Sequence, residues 1–120
     1  VTPQGRHLLV DFHGATNLYD REAAEPVFRD AAEAAGTTVL DVIFHDFGQR
    51  AGFTGVAVLA ESHISIHTWP ETGYAAIDIF MCGDCDPTIA VEHLRGYFRP
   101  EREEIAQLVR GVPNAISVSV

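Results

Sequence analysis

The sequence predicts an α+β fold, a two-layer sandwich in which a mainly antiparallel sheet carries two helices on one face. Three observations lead there. A strand pattern and a helix pattern come first, then several strand patterns joined by short turns, then a second helix and a last strand. The longest apolar stretches are strand-sized. At 120 residues the chain is long enough for one two-layer core and too short for two, so a single domain over 1–120 is expected.

His7-Leu8-Leu9-Val10-Asp11-Phe12 reads as the first strand, with Gly14-Ala15-Thr16-Asn17 as the turn after it. From Asp20 to Ala35, Ala, Val and Phe recur at helical spacing, with Asp20 suited to the N-cap and Gly36 to the C-cap. Thr37 to His45 is a second strand. Residues 46–53, Asp-Phe-Gly-Gln-Arg-Ala-Gly-Phe, connect it to the strand Thr54 to Ala60. An extended segment then runs to about Thr68, and Pro70-Glu71-Thr72-Gly73 turns into the strand Tyr74 to Met81. Asp86-Pro87 opens a second helix, because proline fits the first helical turn, and Pro100 stops it after Phe98. Glu104 to Val109 is a short last strand. The tail from Gly111 is read as loose except for Ile116-Ser117-Val118-Ser119-Val120. With both helices on one face of the sheet, the other face needs a cover. A symmetric homodimer packed sheet against sheet supplies it.

Apolar residues at 47% and charged residues at 21% fit an ordinary soluble globular protein. Eight basic against seventeen acidic residues give a net charge of −9, which argues against a nucleic-acid partner and is compatible with a cationic small molecule. The run Val1-Thr2-Pro3-Gln4-Gly5-Arg6-His7 has no signal-peptide character, and no stretch is long enough for a membrane span. A cytoplasmic protein without a membrane partner is expected. Cys82 and Cys85 are too few and too close for a secreted disulfide framework.

The most unusual stretch is Glu61-Ser62-His63-Ile64-Ser65-Ile66-His67-Thr68-Trp69-Pro70-Glu71, set between the apolar runs Gly55 to Ala60 and Tyr74 to Phe80. Strands that only pack a core do not need hydroxyls, imidazoles and carboxylates at this density. On residue chemistry alone Ser62 is a candidate nucleophile, with His63 or His67 as its base.

The string closely resembles the self-cleavage site of the small prokaryotic S-adenosylmethionine decarboxylases, a pyruvoyl-dependent family. The resemblance runs from Gly5-Arg6-His7-Leu8 through Val109-Arg110-Gly111 and is sharpest between Thr54 and Gly83. It implies autocatalytic cleavage between Glu61 and Ser62, giving a β chain of 1–61 and an α chain of 62–120, with Ser62 converted to a covalent pyruvoyl cofactor. The ketone would form a Schiff base with the amine of S-adenosylmethionine and act as electron sink for decarboxylation, so that the product serves polyamine (spermidine) synthesis. By the same resemblance His67 is the processing base, Thr54 the hydroxyl that assists processing, and Cys82 the thiol that protonates the substrate carbon. Phe47 is similar to the aromatic that stacks on adenine, Trp69 offers a second apolar face, and Glu71 is similar to the acid that holds the ribose. Dimerisation is implied as well.

Ser62 and His67 have opposite parity, so an ideal strand would separate them, and a bend at the cleavage junction is expected to reconcile them. The connection Gly48-Gln49-Arg50-Ala51-Gly52-Phe53 departs from the family pattern, about one residue longer and carrying Arg50. Related proteins decarboxylate ornithine or arginine by the same chemistry, and those basic amino acids stay open as substrates. Two other readings stand beside this one. Cys82-Gly83-Asp84-Cys85 has the spacing of a thiol-redox pair. His45, His63, His67, Cys82 and Cys85 together resemble a zinc set only loosely, and no metal is expected.

Overall fold

A computed structural model describes residues 4–48 and 50–113. The order of elements is β1 (Gly5–His13), α1 (Arg21–Ala34), β2 (Val39–Asp46), β3 (Phe53–Leu59), β4 (Ser62–Trp69), β5 (Tyr74–Cys82), α2 (Pro87–Phe98) and β6 (Arg102–Arg110). The strands form one six-stranded sheet in the order β2-β3-β4-β5-β1-β6. Each neighbouring pair is antiparallel. The α+β expectation with two helices on one face is what the chain adopts.

Alternation of side chains explains which face the helices cover. Leu8, Val10 and Phe12 of β1, Ile64 and Ile66 of β4, and Ile77, Ile79 and Met81 of β5 are buried on one face. Phe28 of α1 and Phe98 of α2 close over them, with Phe98 lying 6.3 Å from Phe12 and 6.4 Å from Phe28 between ring centroids. Each such fully buried side chain is worth roughly 1.5–3 kcal/mol relative to exposure. Leu9, Ile43 and Val58 point to the opposite face and remain exposed.

The helix ends follow the sequence. Asp20 accepts a hydrogen bond from the Ala23 N–H at 3.0 Å, and Asp86 accepts one from Thr88 at the same distance. Gly36, with φ 99°, stands one residue beyond the α1 cap Ala35, where its N–H donates to Glu33 and the Thr37 N–H donates to Ala32. Pro26 lies inside α1, where its missing N–H falls on an exposed side of the helix.

Two expectations need correction. The last strand is not short: β6 pairs with β1 along its whole length, from Gly5 opposite Arg110 to His13 opposite Arg102. As an edge strand with many exposed side chains, it is held by backbone hydrogen bonds that leave little hydrophobic pattern to read. Nor does β4 bend, since its burial alternates strictly from Ser62 to Trp69. The segment Ile116 to Val120 lies outside the described residues.

Candidate active site

Leu59 of β3 and Ser62 of β4 are paired, so Ala60 and Glu61 form a two-residue turn between them. Glu61 has φ 59°, the left-handed region that costs a residue with a Cβ roughly 1–2 kcal/mol. The peptide bond from Glu61 to Ser62 thus leaves a strained residue and enters a regular strand. Ser62 is turned toward the helix-covered face and is buried, at 9% exposure. Its hydroxyl oxygen accepts a hydrogen bond from the Cys82 N–H at 3.3 Å, and the Cys82 sulfur lies 4.0 Å from it and 3.6 Å from a Glu61 carboxylate oxygen. A hydroxyl held beside a strained carbonyl, with a backbone N–H and a thiol in reach, fits a site that makes a carbonyl cofactor from its own serine.

Cys85 stands close by, its N–H donating to the Cys82 carbonyl at 3.4 Å, but its thiol has a different partner. Its thiol donates to the Gly36 carbonyl at 3.4 Å, and burial pushes its pKa up, which favours the protonated form of that donor. Both cysteines are free thiols with separate partners. The sheet lacks the parallel strand and helix order of a thioredoxin-like protein among the described residues.

His67 lies toward the other end of β4, paired with Thr54 across the sheet. It lies five positions along the strand from Ser62, roughly 16 Å at strand rise, and it points to the face the helices leave open. Trp69 stacks on His67 with centroids 3.8 Å apart and planes 2° apart, and Tyr74 stacks on Trp69 at 5.0 Å. Phe47, just after β2, lies 5.9 Å from His67 and is 55% exposed. The Gly52 carbonyl accepts the Phe47 N–H at 3.0 Å and so fixes where that ring stands. Glu71 is exposed in the turn after β4. Within the chain the sequence-derived residues therefore form two groups, Glu61, Ser62 and Cys82 at one end of β4, and Phe47, Thr54, His67, Trp69 and Glu71 at the other. His45, which lies beside Phe47, and the cysteines sit with opposite groups, so the loose zinc set is not assembled.

The open face between the groups holds a cluster that sequence reasoning missed. Asp78 accepts from His7 at 2.9 Å and from His63 at 3.2 Å on one carboxylate oxygen, and from the Ser65 hydroxyl on the other. Arg110 lies 3.1 Å from Nδ1 of His7. A guanidinium can only donate, so Nδ1 carries no proton and Nε2 is the donor to Asp78. The signal was present in the sequence, because an acid in the middle of the apolar run Tyr74 to Phe80 stands out, yet its partners on β1 and β4 depend on register.

Residues 6–111 match the family model described as S-adenosylmethionine decarboxylase. The S-adenosylmethionine decarboxylase proenzyme of Thermomicrobium roseum is 44% identical over 109 residues, covering 90% of this chain and 94% of that protein. The proenzyme of Methanococcus vannielii is 41% identical over 111 residues, covering 90% of each. The crystal structure of the adenosylmethionine decarboxylase from Aquifex aeolicus superposes with a TM-score of 0.83 at 31% identity, over 99% of this chain and 100% of that one. An antiparallel sheet with a strained serine junction is thus the frame of a decarboxylase-type protein. The chain belongs to the S-adenosylmethionine decarboxylase family.

Proposed function

We propose that this chain is a proenzyme that cleaves itself between Glu61 and Ser62 and then decarboxylates S-adenosylmethionine to an aminopropyl donor for polyamine synthesis. The observation that carries the reading is the left-handed Glu61 preceding a buried Ser62 whose oxygen faces the Cys82 N–H and thiol. The Ser62 hydroxyl attacks the Glu61 carbonyl and converts the amide to an ester. Loss of the Ser62 α proton to a base then expels the Glu61 carboxylate, and the resulting dehydroalanine takes up water and releases ammonia to leave a pyruvoyl group. Once formed, that group supplies a carbonyl able to take up the substrate amine and accept electrons as carbon dioxide leaves. Cys82, its sulfur 4.0 Å from the Ser62 oxygen, is the proton donor to the substrate carbon in this reading, and the exposed ring of Phe47 is the face for the adenine. Glu71 supplies a carboxylate for the ribose hydroxyls.

His67 is the base in this scheme, assisted by the Thr54 hydroxyl, and within one protomer neither is near Ser62. A homodimer packed open face to open face resolves the separation, because the partner supplies its His67 group to the Ser62 end. The exposed Leu9, Ile43 and Val58 on that face favour such a partner.

The test is the intact mass of the denatured purified protein. Fragments of 1–61 and 62–120 are expected from the wild type and a single chain from Ser62→Ala. A wild-type chain that stays whole on long incubation overturns the reading. Carbon dioxide release measured with S-adenosylmethionine, ornithine and arginine is expected with the first alone, and release from either amino acid instead would reassign the substrate.

A further inference from the structure

We infer that Trp69 is a positioning residue for His67 and not a binding face for the substrate, an assignment that rests on the processing role proposed for His67. A row of rings crosses the open face in strand order. From Phe47 it passes through His67 and Trp69 on β4 and Tyr74 on β5 to His13 on β1, which stacks on Tyr74 at 5.3 Å with planes 19° apart. Trp69 is an interior member of this row. Its indole is already engaged in stacking with both His67 and Tyr74 and is half-buried, whereas Phe47 at the edge of the row keeps an exposed ring.

The row is anchored at its far end. The Tyr74 hydroxyl donates to Asp11 at 2.7 Å, and His13 behind it lies 3.0 Å from Glu104. Trp69 therefore leans on a fixed neighbour and transmits that constraint to His67. Among the described residues no hydrogen bond holds either nitrogen of the His67 ring. Stacking alone fixes the imidazole, which leaves both nitrogens available for proton transfer. A hydrogen-bonded histidine would be held as firmly at the expense of one of them.

The experiment follows cleavage of freshly purified Trp69→Leu, Trp69→Phe and wild-type proenzyme over time. Trp69→Leu is expected to process about 10-fold more slowly or worse, since small misplacements of a reacting group are costly. Trp69→Phe keeps a flat ring and is expected within about three-fold of wild type. Once processed, Trp69→Leu is expected to keep its KM for S-adenosylmethionine within about two-fold, because the ring does not touch substrate. Trp69 is the single tryptophan, so its emission gives a readout independent of activity. In an uncleavable Ser62→Ala background, His67→Asn is expected to change its quantum yield.

Wild-type processing of Trp69→Leu, or a raised KM with processing intact, overturns the assignment, as does unchanged emission when His67 is replaced. A wild-type chain that never cleaves sinks the functional reading and this role together, whereas a wild type that cleaves while Trp69→Leu cleaves equally fast sinks only this role.

Discussion

At the scale of single residues, chemistry on the open face depends on which groups hold protons. Tyr74 is the clearest case, with its pKa pushed up to about 12 from an ordinary 10.0, chiefly by the hydrogen bond it donates to Asp11 and further by burial. A raised folded-state pKa means that the neutral phenol is favoured in the folded protein. Its contribution to stability is complete below about pH 10 and lost as pH rises toward 12. In an ultraviolet titration the phenolate of Tyr74 is expected to form late and to vanish from the late phase in Tyr74→Phe, with a steeper loss of thermal stability over that interval in wild type. A normal phenolate transition would show that the Asp11 contact is absent in solution. Residue identity was the part of the candidate site most legible in the sequence: the polar run alone singled out Ser62 with His63 or His67 beside it, while the choice of His67 and the roles given to Glu61 and Cys82 came from the family resemblance. The left-handed backbone of Glu61 was not legible, because nothing about a glutamate asks for positive φ.

At the scale of elements, periodicity and capping located the two helices and β1 to β5 among the described residues but left β6 too short, and register decided what they meant. Asp78 could be seen as an odd acid in a strand, yet only the pairing of β5 with β1 and β4 sets it between His7 and His63. The connection from β2 to β3 departed most from the family pattern in sequence, and the structure shows how its described residues are held. Arg50, with φ 61°, lays its guanidinium 4.6 Å from the centroid of Tyr19. Gly52 passes so close to β4 that a Cβ there would collide with the Thr68 carbonyl oxygen. Because the Gly52 carbonyl also holds the Phe47 N–H, Gly52→Ala is expected to destabilise the protein by about 1–3 kcal/mol and to raise KM for S-adenosylmethionine several-fold. Thermal unfolding and steady-state kinetics on the processed variant check both, and unchanged values would mean that the connection relaxes freely.

At the scale of the whole molecule, the proposed dimer would make assembly part of the chemistry. If the partner's His67 serves Ser62, chains lacking different members should complement each other. Ser62→Ala and His67→Asn chains, each inactive in processing alone, are expected to form mixed dimers on co-expression. There the His67→Asn chain would be cut, and the Ser62→Ala chain would stay whole. Absence of cutting in isolated mixed dimers would place the base within the same protomer. The strand order carries one more consequence for the cut molecule. Cleavage after Glu61 leaves β1, β2 and β3 on one fragment and β4, β5 and β6 on the other, yet β1 lies between β5 and β6. The fragments are interlaced, and parting them means breaking three ladders at once. A molecule nicked as proposed would therefore age differently from its precursor: the precursor refolds as one chain, whereas the cut protein, once unfolded, would have to find its other half again by collision.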